Sequence, residues 1–537
     1  MEKKGIIMLI NSLSFIAFVA IVCILYFIFP KKAKWIVLLI SSYIFYWISS
    51  GKLVLYMIIT TLSIYLATLY MGKIEEKAKD KSKQIEDKEK KKELKHKAKT
   101  KKKWVVFLAI LINFGILAFL KYSNFMAGNL NSIFKLLNFS IEIPLKRIIL
   151  PLGISYYTLQ AISYVVDVYR GKCSPDKNLG RVALFVSFFP QIVEGPIGRY
   201  NDLAMQLYEP HKFSYQNAKF GIQLMLWGYF KKMVIADRAG LFVNEVFGNY
   251  TGYAGLPSLL AIIFYTVQIY AEFSGCMDIV RGTAQIMGIN MAENFQRPFF
   301  SKSVQEFWRR WHITLGTWLK DYVFYPVSFS KLTLNITNGA KKIFKNSYIS
   351  KLIPAAFALF FVWFGNGIWH GASWKYIFYG LYYYIIMLIG MLLEPIGNKI
   401  IKLFKINTET FSYKLWQIIR TTCFVLVGMM IFRSHRLLEA CSIFKSIFTF
   451  ENIEMLFDGR LFNIGFKTSD FVVLVIGVVI MFIVSFLQEK GYNLREKISK
   501  QNLIFRWLLY YLIIFAIIIF GIYGMGYAAS DFIYGQF

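Results

Sequence analysis

Residues 352–374 read LIPAAFALFFVWFGNGIWHGASW, and this run decides what kind of molecule the chain is. It contains no Asp, Glu, Lys or Arg. It is also long enough to supply the roughly 20 apolar residues that a helix needs to cross hydrocarbon. Its one ionisable side chain is His370, with Gly365, Gly367 and Gly371 around it. An imidazole is costly to place in such a segment, so it reads as a functional group. The competing reading is an interfacial histidine near the headgroups, between Trp369 and Trp374. Glycines in a membrane helix permit close helix packing, or a break that opens a cavity.

The same pattern extends outward in both directions. Met8–Phe29, Leu53–Met71, Trp104–Leu120 and Phe471–Leu487 also lack Asp, Glu, Lys and Arg, and Trp35–Gly51 lies uncharged between Lys34 and Lys52. Further apolar runs fall near Ile148–Val166, Phe220–Phe230, Leu259–Tyr270, Ile377–Leu393, Thr421–Phe432 and Trp507–Phe520. The expectation is an all-α polytopic membrane protein with about twelve spans in a single integral membrane domain covering 1–537. Hydrophobic residues make up 56% of the 537 and aromatic residues 18%, too much apolar surface for a water-soluble domain to cover. The first run is too long and too rich in Tyr and Phe for a cleaved leader, and no small-residue cleavage site follows it.

The net charge of +31 invites a nucleic-acid reading, which the placement of the charge excludes. Lys and Arg sit in short connections between apolar runs, where they are retained on the cytoplasmic side. Lys73–Lys103 is the extreme case, with 15 lysines against 7 acidic residues and almost no apolar side chain. It reads as a solvated cytoplasmic loop, helical or disordered, with contact to anionic lipid headgroups as the functional alternative. Lys231, Lys232 and Arg238 mark another cytoplasmic segment, and Glu489–Arg506 a third. With three spans before the lysine-rich loop and one after Arg506, both termini are expected outside. The five cysteines form no C-x-x-C pair and suggest neither a disulfide framework nor a metal site.

There are five histidines. His96 lies in the charged loop, His211 follows the loop signal Glu209-Pro210, and His435 stands between Arg433 and Arg436. His312 lies in VQEFWRRWHITLGTWLKDYVFYP, which has a helical period. On one continuous helix Trp308, His312, Leu315 and Leu319 would share a face, and Arg310, Thr314, Thr317 and Asp321 the opposite one. That pattern predicts an amphipathic interfacial or re-entrant helix. His312 is then either a packed core histidine or a group lining a cavity. No phosphate loop, zinc spacing or nucleophile elbow accompanies these residues. A neutral imidazole can accept a proton from an attacking hydroxyl near neutral pH without a metal.

Several long blocks resemble the membrane-bound O-acyltransferase family, in particular its branch of bacterial alginate and cell-wall polysaccharide O-acetylation proteins. They are LINSLSFIAFVAIVCILYFIFP at 9–30, LPLGISYYTLQAISYVVDVYRG at 150–171 and FFPQIVEGPIGRY at 188–200. FSGCMDIVRGTAQIMGINMAENFQRPFFSKSVQEFWRRWHITLGTWLKDYVFYP at 273–326 and WFGNGIWHGASWKYIFYGLYY at 363–383 follow in the same order. The resemblance implies a ring of tilted helices around a tunnel, with His370 of the WHG motif deep inside and His312 of the RRWH motif lining the same passage. It implies no bound cofactor, acetyl-CoA as the cytoplasmic acyl donor, and a polysaccharide acceptor reached indirectly through an extracytoplasmic SGNH-type transferase or esterase. Glu194 and the VSFSKLTLN continuation at 327–335 depart from the alginate branch, which leaves the acceptor open.

The ending FIYGQF at 532–537 resembles the last residues of the small single-span peptide of the teichoic-acid D-alanylation system. By that likeness 507–537 is a final span with an extracytoplasmic tail, and the Tyr534 hydroxyl is a covalent relay that accepts the acyl group near His370. D-alanyl transfer to teichoic acid from a carrier protein is the alternative within the enzyme class. Outside that class, a polysaccharide transporter or flippase would show internal repeats with paired broken helices, and none is seen.

Overall fold

The computed structural model describes residues 8, 10–146, 148–345, 347–449 and 451–523. Among these the chain is all-α, its only β-type pairing an isolated antiparallel bridge between Phe295 and Trp311. Eight helical stretches are long and apolar enough to cross a membrane, and the chain is a multi-pass membrane protein. They are Lys31–Lys83, Lys88–Leu136, Leu256–Ile286, Tyr348–His370, Trp374–Leu403, Phe411–Arg433, Thr468–Glu489 and Leu503–Phe520. Two of the expected crossings run together in the first stretch, joined by a turn at Gly51, whose φ of 53° and ψ of −129° suit glycine. The apolar run near Ile148–Val166 falls on a helix of 16 residues, Ile154–Tyr169, and that near Phe220–Phe230 on Tyr215–Tyr229, which continues through a π-helical turn into Asp237–Gly248. At 1.5 Å per residue the first of these reaches only about 24 Å, short of a hydrocarbon core of about 30 Å.

The described chain divides into two compact units. The first comprises Met1–Ile222 and Val280–Ala292. Here the lysine-rich segment is helical. Val54–Lys83 runs straight out of its apolar part into charge, and after a short turn Lys88–Leu136 returns with Asp87 capping its first turn. Forty-nine residues of helix exceed twice the hydrocarbon thickness, so the charged ends of this hairpin stand in water. Lys102 joins the two arms by an ion pair to Glu75 at 2.9 Å. Deeper in this unit Ile154–Tyr169 is buried on almost every side. Gly153 begins it at φ 67°, where a Cβ would lie 1.9 Å from the Ile192 carbonyl oxygen, so only glycine fits.

The second unit comprises Gln223–Ile279 and Glu293–Phe537. Its core is aromatic, built from Phe242, Tyr265, Phe273, Trp311, Trp363, Tyr379, Tyr383 and Phe432 among others. Tyr348–His370 and Trp374–Leu403 form an antiparallel pair joined by three residues. Gly367 and Gly380 bring their backbones together, since a Cβ on Gly380 would lie 3.2 Å from the Gly367 Cα. Leu503–Phe520 has no buried residue and presents its apolar side chains outward, as a lipid-facing helix does. A π-helical turn at Phe230–Ala236 buries Lys232 between Asp237 at 2.7 Å and Glu272 at 2.9 Å, while Lys231 pairs with Asp278 at 2.8 Å. Ion pairing is what makes such charges tolerable in an apolar interior.

Candidate active site

The segment around His312 is where the structure departs most from the sequence reading. It is not one helix. Val304–Arg310 ends, Trp311 is extended, His312 takes a left-handed conformation at φ 47° and ψ 50°, and Ile313–Leu319 begins a new helix. The cause is pairing with a distant strand-like segment. The Gln296 N–H donates to the Arg310 carbonyl at 2.9 Å, and the Ile313 N–H donates to the Asn294 carbonyl at 3.0 Å. These bonds replace the helical ones that would have run through the break. The predicted common face of Trp308 with His312, Leu315 and Leu319 therefore does not exist. Thr314, expected on a wetted face, is buried.

Asn294 holds the break from the side. It is 1% exposed, and its Oδ1 accepts from the Thr314 N–H at 3.0 Å and from the Thr314 hydroxyl at 2.9 Å. With its carbonyl on Ile313, it satisfies the first two N–H groups of the new helix, which His312 at the N-cap position does not. The same oxygen lies 3.2 Å from His312 Nδ1. The sequence reading missed Asn294. Nothing in NFQRP announces a side chain that caps a helix 19 residues downstream.

His312 itself is buried, with the Phe273 ring edge-on at 4.9 Å and the Trp369 ring at 5.4 Å. It lies outside the eight long apolar stretches, and burial pushes its pKa down to about 3, so the ring is neutral at physiological pH. His370 is the last residue of Tyr348–His370 and is also buried. Its ring is boxed by Trp369 at 5.0 Å, Phe432 at 5.2 Å, Tyr379 at 5.6 Å and Tyr376 at 6.4 Å.

Trp369 touches both imidazoles, so their centroids are no farther apart than the sum of its two distances. A second aromatic bridge ties the two segments. Trp308 packs edge-on to Trp363 at 4.9 Å and to Tyr383 at 4.8 Å. Two of the glycines around His370 serve close packing: a Cβ on Gly371 would lie 2.4 Å from the Tyr376 ring, and one on Gly367 2.4 Å from the Tyr376 carbonyl oxygen. Lys375 places its ammonium 4.7 Å from the centroid of the Tyr376 ring, a cation beside the aromatic box that the sequence reading passed over. Two buried imidazoles among aromatic rings can accept and return a proton at a reacting oxygen.

The other sequence candidates fall elsewhere. Arg310 is held by Glu306 at 2.7 Å and Glu489 at 2.9 Å, and Glu489 also binds Arg297 at 2.7 Å. His211 belongs to the first unit, where its carbonyl accepts from the Lys34 ammonium at 2.7 Å. His96 is exposed on the lysine-rich hairpin. The His435 N–H donates to Glu439 at 3.0 Å. Tyr534, with Phe532 and Phe537, lies outside the described residues. Among the described residues, no three His, Cys, Asp or Glu side chains converge as a metal site requires.

The sequence profile of the membrane-bound O-acyltransferase family matches residues 176–337, a range that includes Asn294 and His312. The chain is 31% identical over 428 residues to a protein of Pseudomonas syringae pv. tomato described as probable alginate O-acetylase AlgI, covering 79% of this chain and 72% of that protein. It is 28% identical over 376 residues to the peptidoglycan O-acetyltransferase of Helicobacter pylori, covering 65% of each. It is 30% identical over 283 residues to the teichoic acid D-alanyltransferase of Bacillus subtilis, covering 52% of this chain and 68% of that protein. With an all-α membrane fold, paired buried histidines and relatives matched over most of its length, the chain belongs to the membrane-bound O-acyltransferase family and is an acyltransferase.

Proposed function

We propose that this enzyme passes an acetyl group from acetyl-CoA on the cytoplasmic side of the cell membrane to an acceptor hydroxyl on the outer side, for O-acetylation of a surface polysaccharide. The observation that carries the reading is the pair of buried histidines sharing Trp369, walled by aromatic rings with the Lys375 ammonium against one of them. The names of two relatives, a probable alginate O-acetylase and a peptidoglycan O-acetyltransferase, support acetyl as the group and polysaccharide as the final acceptor. His370 takes the proton from the acceptor hydroxyl as its oxygen attacks the thioester carbonyl. The tetrahedral intermediate collapses, the C–S bond breaks, and the leaving thiolate takes the proton back from the imidazolium. The acyl group has then moved from sulfur to oxygen, and a thiol is released.

A phosphate-bearing donor cannot cross hydrocarbon, but an acetyl group can move through a narrow protein passage. The lysine-rich hairpin, placed in the cytoplasm by its charge, would raise the local concentration of an anionic donor. By this topology both termini are outside, and Tyr534 is the first acceptor. Its acetyl ester is tethered where an SGNH-type extracytoplasmic transferase can collect it, instead of being diluted as a free activated group. The similarity to a D-alanyltransferase supports a second reading, in which a carrier protein supplies D-alanine. The two separate in one assay. Purified protein in nanodiscs is given acetyl-CoA or a D-alanyl-charged carrier protein, and thiol release is followed. Release from acetyl-CoA, abolished in His370→Ala, supports acetylation. Release from the carrier alone overturns it. Mass spectrometry of the surface polysaccharide with and without the gene identifies the acceptor.

A further inference from the structure

We propose that Asn294 is a positioning residue that holds His312 in the tautomer with the proton on Nδ1, leaving Nε2 as the nitrogen that handles the transferred proton. This deepens the acyl-transfer reading above and rests on it. The argument begins with a donor whose role is not in question. The Thr314 backbone N–H can only donate, and it lies 3.0 Å from one terminal atom of the Asn294 amide. That atom must therefore be the amide oxygen. The Thr314 hydroxyl, at 2.9 Å, adds a second donor to it. An amide oxygen can only accept, so His312 Nδ1, 3.2 Å away, must carry a hydrogen. In a neutral imidazole one nitrogen donates and the other accepts, so Nε2 is left with its lone pair.

The amide cannot escape this by turning over. A flip would set its NH2 group against the Thr314 N–H. In the present orientation Nδ2 faces the Met277 sulfur at 3.5 Å, and the Asn294 carbonyl is engaged by Ile313. The imidazole is equally constrained. Its backbone is held in the left-handed region by the Phe295–Trp311 bridge, and its ring lies between Phe273 and Trp369. A half-turn of the ring would put a carbon against the Asn294 oxygen and lose the bond. When Nε2 takes a proton, Nδ1–H becomes a charge-assisted donor to the same oxygen, so Asn294 also steadies the imidazolium that forms. A buried asparagine thus does for His312 what an orienting partner does for a catalytic imidazole elsewhere.

The test uses the full chain in nanodiscs with 15N-labelled histidine. Five histidines give a small spectrum, and His312 is assigned by its loss in His312→Gln. The expected wild-type pattern at neutral pH is a protonated Nδ1 and a bare Nε2. Asn294→Asp keeps an acceptor at the same place and should keep both the pattern and transfer to within a few fold. Asn294→Leu removes it and should release the other tautomer, with kcat falling about 10–100-fold and KM little changed. Thr314→Val removes the hydroxyl from the shared oxygen but leaves both the backbone cap and the His312 contact, and should keep the wild-type tautomer, which separates the hydroxyl's bond from the contact that sets the tautomer. If Asn294→Leu does not accumulate, the wild-type spectrum and Asn294→Asp still decide the question. A wild-type His312 protonated on Nε2, or an Asn294→Leu protein with unchanged kcat, overturns the proposal. Normal transfer in His312→Gln overturns the role given to His312 even where the tautomer is as assigned, and so distinguishes a failure of the functional reading from a failure of the Asn294 assignment.

Discussion

Replacing Gly367 by alanine should damage the enzyme far more than its one added methyl suggests. The new Cβ would lie 2.4 Å from the Tyr376 carbonyl oxygen and 3.2 Å from the Tyr376 carbonyl carbon. Carbon and oxygen in contact stand about 3.3–3.6 Å apart, so the fit is short by about 1 Å. The obstructing atom is backbone and cannot swing aside. Trp374–Leu403 would have to move bodily away from Tyr348–His370. Overpacking of this kind costs about 1–3 kcal/mol, offset by up to about 1 kcal/mol because alanine is the better helix former. The net effect on folding is therefore modest. The effect on catalysis is not, because His370 lies three residues on and its box includes Tyr376 and Tyr379 from the helix that must move. A shift of about 1 Å in a reacting group can cost about 100-fold in rate. Gly365 provides the control two residues away. Its Cβ would meet only Leu319 Cδ2, at 4.0 Å, so Gly365→Ala should keep full activity and be slightly more stable. Thioester cleavage by purified protein and polysaccharide acetylation in cells give the rates, and intrinsic fluorescence gives the melting temperature. A Gly367→Ala enzyme as active and as stable as Gly365→Ala would refute the close-packing argument.

Other outcomes follow from single contacts. His370→Ala should lower transfer by about 10²–10⁴-fold while the protein still inserts and accumulates; substantial residual transfer would remove it from the site. Lys232→Met leaves Asp237 and Glu272 buried against each other and should cost about 3–5 kcal/mol, seen as reduced accumulation and a lower melting temperature, whereas Lys97→Ala on the exposed hairpin should change neither. Burial holds the folded-state pKa of His312 near 3, below its unfolded value of about 6.5, so between those pH values the unfolded chain binds the extra proton. Stability from this group is complete above pH ~6.5 and falls on acidification by at most about 1.4 kcal/mol per pH unit, a component that pH-dependent melting should find missing in His312→Gln. Tyr534→Phe keeps the aromatic ring and should abolish polysaccharide acetylation; normal acetylation would leave the tail as an anchor only.

Composition and the spacing of apolar runs were enough to establish the membrane class. Uncharged stretches of span length have no stable place in water, and that constraint acts locally on each segment. The charge of Lys73–Lys103 likewise set it apart from hydrocarbon, and its helical form follows from residues with good helix propensity. His370 stood out because an ionisable side chain in such a run is rare, and the resemblance to the family pointed to the same residue and to His312. What could not be read was the break at His312. WRRWHITLG holds no proline and only one late glycine, so local preference favours one continuous helix. The break exists because residues 294–296 offer hydrogen-bond partners to residues 310–313, and Asn294 then supplies the missing cap. The glycines near His370 allowed either a cavity or close packing. The partner helix decided for packing by placing the Tyr376 carbonyl and ring against Gly367 and Gly371. The convergence of both histidines on Trp369 is of the same kind. A sequence carries span and charge segment by segment, because solvent acts on each segment alone. Which nitrogen of His312 carries its proton depends on an oxygen brought there by the fold.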